Sequence, residues 1–168
     1  MESVLVSACL LGEAVRYDGG DMRCDHEVLQ RWIGEGRVIA VCPEVDGGLP
    51  VPRPPAEVTD PTGGPAVLAG TARVMDINGR DVTAPFLKGA EEALTRARTR
   101  GIRVAVLKED SPSCGSRYIY DGTFTGAKVP APGVTAAMLR AAGLQVFSEA
   151  QLADAERALQ RLEAENVA

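Results

Sequence analysis

The sequence predicts one three-layer α/β domain, residues 1–168, with a mainly parallel sheet and a small β-hairpin insertion. Three observations carry that expectation. Short apolar runs rich in β-branched residues recur at Val4–Val6, Val38–Val41 and Val104–Leu107. Stretches with helical apolar spacing alternate with them, the pattern of parallel strands joined by crossover helices. A chain of 168 residues that is 45% apolar but only 4% aromatic builds one core of Val, Leu and Ala.

The first strand is expected over Ser3–Ser7, followed by a polar loop through Arg16-Tyr17-Asp18-Gly19-Gly20. Asp25 is the expected N-cap of a helix presenting Val28, Leu29, Trp32 and Ile33 on one face and stopping at Gly34 and Gly36. A second strand, Arg37–Val41, leads into Cys42. From Pro43 to Pro65 the density of Pro and Gly predicts an extended, stiff loop. A loop this long serves either as a rigid connector or as a wall beside Cys42. Asn78-Gly79 tolerates the positive φ of a type I′ turn, so Arg73–Ile77 and Arg80–Thr83 read as a hairpin.

Thr83 is the expected N-cap of a helix reaching Arg100, with Phe86, Ala90, Ala93 and Ala97 on its buried face. Arg96, Arg98 and Arg100 complement its dipole and Gly101 ends it. Strand Arg103–Leu107 runs into a third cysteine loop. A helix over Val134–Ala142, a strand over Gln145–Phe147, and a capping box of Ser148 and Gln151 complete the order. The last helix carries Leu152, Ala155, Leu159 and Leu162 as a stripe for the core. This succession is that of a Rossmann-like sheet.

Cys9, Cys42 and Cys114 each follow one of the three apolar runs. Ligands of open parallel sheets bind beyond the strands' carboxyl ends, so three thiolates would face one crevice. That suits a metal centre with one ligand position free. A cysteine's ordinary role is to pack in a core, and no Cys-x-x-Cys pair marks a local zinc knuckle or thioredoxin-like site. The small residues of Ser113-Cys114-Gly115-Ser116 do favour an anion or iron–sulfur nest. Cys24 precedes a helix rather than following a strand and reads as a bystander. His26, the sole histidine, reads as a surface or capping residue. Glu44, two residues after Cys42, shares its crevice.

A net charge of −5 argues against DNA and against a large RNA partner. Val6-Ser7-Ala8-Cys9 resembles a lipoprotein cleavage box, but the only charge before Cys9 is Glu2, and a signal needs a basic start and a longer apolar run. With no transmembrane run, the chain reads as cytoplasmic.

Several segments together resemble the thiouracil desulfurase family: Ser7–Gly12, Arg16–Gly19, Cys42–Glu44 with Gly47–Pro50 and Pro52–Pro55, Lys108–Glu109 with Ser111–Ser116, Tyr120–Phe124, and Gly133–Ala137. The likeness runs from about Val4 to Glu149. One departure is Val15, where many relatives carry a further cysteine; that cysteine is then no obligatory ligand. The resemblance implies a [4Fe-4S] cluster held by Cys9, Cys42 and Cys114, and conversion of thiouracil to uracil and sulfide without net redox change. It places the family's acidic and serine active-site residues at Glu44 and Ser111.

Four thiolates are the ordinary count for such a cluster. Three leave one iron open to a soft thiocarbonyl sulfur. Glu44 would then carry protons and Ser111 would orient the water or the base. For the pyrimidine slot, Tyr17 is the expected stacking ring, with Arg53 or Arg16 meeting a carbonyl. Two rivals stand beside this reading: a non-catalytic metal or sulfide-binding module, and a sulfur-transfer enzyme acting on thiolated tRNA nucleosides. The acidic balance and the absence of a Gly-x-x-x-x-Gly-Lys-Ser/Thr motif count against the second.

Overall fold

A computed structural model gives the fold and describes residues 1–167. In chain order its elements are β1 (Val4–Ser7), α1 (Glu27–Gly34), β2 (Val38–Val41), α2 (Pro43–Asp46), β3 (Ala56–Val58), α3 (Gly64–Leu68) and β4 (Val74–Asp76). There follow α4 (Thr83–Thr99), β5 (Val104–Leu107), β6 (Ile119–Tyr120), β7 (Lys128–Val129), α5 (Val134–Ala141), β8 (Gln145–Ser148) and α6 (Leu152–Val167).

The main sheet has the order β2-β1-β5-β8 with every pairing parallel. β1 and β5 are buried along their whole length, so both faces of the sheet need cover. Val4, Val6, Val104 and Val106 meet α1 and α6 through Leu29, Trp32 and Leu159. Leu5, Ala105 and Leu107 meet α4 and α5 through Ala93, Ala97 and Leu139. Each fully buried Leu or Val here contributes roughly 1.5–3 kcal/mol. Trp32 is wholly buried, and its indole N–H donates to Glu156 at 2.6 Å.

The chain steps from β1 outward to β2, then returns past β1 to β5. The order therefore reverses between β1 and β5, where an open α/β sheet leaves a crevice at its carboxyl edge. A smaller unit flanks that edge. Antiparallel β3 and β4, with α3, enclose a third apolar cluster with Phe86 and Ala90 of α4.

Several local expectations change. Residues 43–65 are not one extended loop: they contain α2, β3 and the start of α3, because both short helices take proline in the first turn, where no N–H is missed. The hairpin at Asn78-Gly79 turns as expected, with Gly79 at φ +80°, but it narrows to a single bridge between Met75 and Asp81. β4 pairs with β3 instead. His26, not Asp25, caps α1, its Nδ1 accepting the Val28 N–H at 3.1 Å. Ile33 lies outside the buried face and is exposed. At α4, Asp81 Oδ1 accepts the Thr83 N–H at 2.9 Å, while the Thr83 hydroxyl accepts from Val74 and ties the helix start to β4. The Ser148–Gln151 capping box and the docked stripe of α6 are as expected.

Candidate functional site

Loops leaving the carboxyl edge of the neighbouring strands β2, β1 and β5 line one cavity of about 540 Å³. Cys9 sits in a 3-10 turn, Ala8–Leu11, directly after β1. Cys42 caps α2, its N–H held by Asp46 Oδ2 at 3.1 Å. Cys114 lies in the turn beyond β5, where the Gly115 N–H returns to the Ser111 carbonyl at 2.8 Å. All three cysteines line the cavity and are free, whereas Cys24 packs against the core. The one-turn helix α2 is seated by Gly89 of α4: a Cβ there would stand 1.8 Å from the Pro43 carbonyl oxygen.

The thiols are reluctant to ionise. Burial pushes Cys9 up to about 11, and the neighbouring Cys42 pushes it the same way. Cys42 is raised by burial too. Burial pushes Cys114 up to about 12, against hydrogen bonds from Ser113 and Ser7, and Cys9 adds to the rise. This is a poor setting for a nucleophilic thiolate, which needs a lowered pKa. It suits a metal centre, which supplies the charge that deprotonates a coordinating thiol. Among the described residues no three His, Cys, Asp or Glu side chains are gathered tightly enough for one metal ion. Soft sulfur donors spread around a cavity of this size fit a multi-iron cluster better than a single zinc.

Glu44 stands beside the cysteines on α2, its side chain 15% exposed. Its carboxylate accepts from Arg53 Nε at 3.1 Å on one oxygen and from Ser113 Oγ at 2.9 Å on the other, with Ser111 Oγ 3.3 Å from that second oxygen. The Ser111 oxygen already accepts the N–H groups of Ser113 and Cys114, both at 3.2 Å. Its single O–H is left to donate, with Ser113 Oγ at 2.9 Å the nearer acceptor. A relay Ser111 to Ser113 to Glu44 results, and Ser113 Oγ also lies 3.5 Å from the Cys114 sulfur.

Sequence reasoning singled out Ser111 and passed over Ser113. The signal was the Ser111-x-Ser113 spacing inside the cysteine loop, which puts two hydroxyls on one turn. Arg53, 9% exposed, also donates to the carbonyls of Pro50 at 3.1 Å and Val15 at 3.0 Å. It thereby joins the two cysteine loops around Glu44. Arg16 and Tyr17 line the cavity as expected, with the guanidinium 5.7 Å above the ring, and Arg16 makes no ion pair among the described residues. His26 is a helix cap and takes no part. Among the described residues no helix is long and apolar enough to cross a membrane.

Comparison with known proteins supports the fold and gives the family. The model of the family described as 2-thiouracil desulfurase matches residues 4–151. The Bacillus subtilis (strain 168) protein YbbK, described as uncharacterized, is 43% identical over 151 residues, covering 90% of this chain and 98% of its own. A solved structure described as a [4Fe-4S]-dependent thiouracil desulfidase, TudS, is 49% identical with a TM-score of 0.86. It covers 95% of this chain and 99% of that one.

Proposed function

We infer the function from one premise: the chain belongs to the 2-thiouracil desulfurase family. It is a desulfurase that removes sulfur from thiouracil or a related thiolated pyrimidine by hydrolysis. Water adds at the C=S carbon, the C–S bond breaks, and uracil and hydrogen sulfide form; no electrons are gained or lost. The observation that carries this reading is the meeting of Cys9, Cys42 and Cys114 with Glu44 in one cavity.

Cys9, Cys42 and Cys114 would hold a [4Fe-4S] cluster. When bound, that cluster supplies a Lewis-acidic iron without a protein ligand, which polarises a soft thiocarbonyl. The chain's own residues do the proton work. A carboxylate has about four lone-pair sites. Glu44 spends two on Arg53 and Ser113, and a free one takes a proton from the attacking water. Glu44 then returns a proton to the departing sulfur or to the ring nitrogen, general acid–base work that contributes about 10²–10⁴-fold. Ser111 and Ser113 fix the carboxylate's orientation and offer it a short proton path. Arg53 holds it in place. Arg16, at the cavity wall and without an ion pair among the described residues, faces a carbonyl of the base.

The test is anaerobic. Cluster-loaded protein is expected to convert 2- or 4-thiouracil to equal amounts of uracil and sulfide with no added reductant. Glu44→Gln should retain the iron spectrum and lose at least ~100-fold in rate. Near-normal turnover by that variant would remove Glu44 from the chemistry, and a requirement for reductant would overturn the hydrolytic reading.

A further inference from the structure

The cavity has an aromatic side that the chemistry above leaves without a task. Tyr17, Tyr120 and Phe124 all line it. Two of these rings already carry a cation. The Arg16 guanidinium lies 5.7 Å from the Tyr17 centroid, and Lys128 Nζ lies 5.6 Å from that of Tyr120. Among the described residues Phe124 has no such partner and belongs to none of the three apolar clusters of the core, although it is half-buried. It lines the cavity instead.

The backbone beneath it is unusual. Phe124 has φ +56°, in the left-handed region that a bulky side chain rarely occupies. The surroundings enforce that angle. Glu57 of β3 is 8% exposed, and its Oε1 accepts the N–H groups of Gly122 at 2.9 Å and Phe124 at 3.2 Å. Gly122 lies so close to β3 that a Cβ would stand 2.6 Å from the Val58 carbonyl oxygen. Asp121 donates its N–H to the Ala127 carbonyl at 2.9 Å, closing the turn between β6 and β7. A buried carboxylate that holds the backbone of a strained loop, beside a reactive cavity, is the circumstance in which strain marks function.

Resting on the desulfurase reading of this cavity, we propose that Phe124 is the ring against which the pyrimidine stacks, and that Glu57 is the positioning residue that holds it there. A planar heteroaromatic base matches an uncommitted phenyl face, and stacking tolerates variation at the base's edges. The stack selects flat rings as substrates and leaves the choice of which thiocarbonyl reacts to the thiol and carboxylate side of the cavity. Tyr17, the ring expected from sequence, would then border the base with its cation rather than carry it.

The experiment uses the cluster-loaded enzyme with 2-thiouracil as substrate and uracil as ligand. Phe124→Ala is expected to keep the iron spectrum, raise KM and the uracil inhibition constant together by about tenfold or more, and change kcat far less. Phe124→Tyr keeps the ring and should recover most of the affinity. Glu57→Ala should raise KM in the native background yet add little on top of Phe124→Ala, and Glu57→Gln, which retains Oε1, should rescue it. Unchanged KM and inhibition constant in Phe124→Ala, or additive effects of the two alanine variants, would overturn the proposal. Calorimetric titration of uracil reads the stack without turnover: weaker binding by Phe124→Ala supports it and equal binding refutes it. A native enzyme that holds its cluster, binds uracil and leaves thiouracil intact defeats the desulfurase reading instead.

Discussion

Replacing Arg53 with methionine tests how the two cysteine loops are held. Methionine keeps much of the side chain's volume while removing its charge and its donors. In the native fold the Arg53 and Glu44 side chains are 5% and 15% exposed, with Nε and carboxylate 3.1 Å apart. Removing one member of a buried ion pair costs about 3–5 kcal/mol, because the other charge stays behind. The carbonyls of Val15 and Pro50 also lose a charged donor. Ser113 still donates to Glu44, and Glu44 lines the cavity, so the low end, about 3 kcal/mol, is expected. In a domain of this size each kcal/mol moves Tm by about 2–4 °C, which gives a fall of about 6–12 °C.

Urea unfolding of the cluster-free protein, followed through the fluorescence of the single, wholly buried Trp32, measures the change directly. Pairing Arg53→Met with Glu44→Gln should recover part of the loss, since no uncompensated charge remains. A loss under about 1 kcal/mol, or full additivity of the two changes, would show that Arg53 does not clamp the carboxylate.

Three further outcomes are expected. Gly89→Ala places a Cβ 1.8 Å from the Pro43 carbonyl oxygen; it should destabilise by about 3 kcal/mol or more and lower iron incorporation, because α2 carries Glu44 and begins at Cys42. Iron content by colorimetric assay and Tm by calorimetry check both halves. Serine at Cys9, Cys42 or Cys114 should abolish the brown iron–sulfur absorption, whereas Cys24→Ser should leave it intact. At acid pH the partly buried Glu109 is one of the groups that count. Burial alone would raise its pKa, but the Arg117 and Tyr118 N–H groups and the Arg117 guanidinium outweigh burial and hold it below the usual 4.5. Its contribution is therefore complete above pH 4.5 and lost as pH falls through the lower folded value. Glu109→Gln should flatten the acid limb of a stability–pH profile.

The parts legible in the sequence were those fixed by short-range pattern. β1, β2 and β5 are β-branched runs, and α4 shows Phe86, Ala90, Ala93 and Ala97 at helical spacing, all four fully buried. The cysteines were legible because each closes such a run. β3 was hidden because Ala56-Glu57-Val58 is only three residues long, too short for its alternation to register beside the proline-rich run before it, and it pairs only with β4. β6 and β7 pair over two residues each, too short for any periodic signal. Ser113 reaches Glu44 across 69 positions of sequence, and Arg53 reaches Val15 across 38. Those separations close only when three strands lie side by side. Phe124 was visible as part of Tyr120-Asp121-Gly122-Thr123-Phe124, but its strained backbone depends on Glu57, 67 residues away.

The central claim is that three thiolates hold the cluster and leave one iron for the substrate's sulfur. Mössbauer spectroscopy of the iron-57 enzyme, before and after 2-thiouracil under anaerobic conditions, addresses it most directly. The account predicts one iron site distinct from the other three, with that site alone shifting when thiouracil binds. Four equivalent thiolate-ligated irons, unchanged by thiouracil, would contradict it.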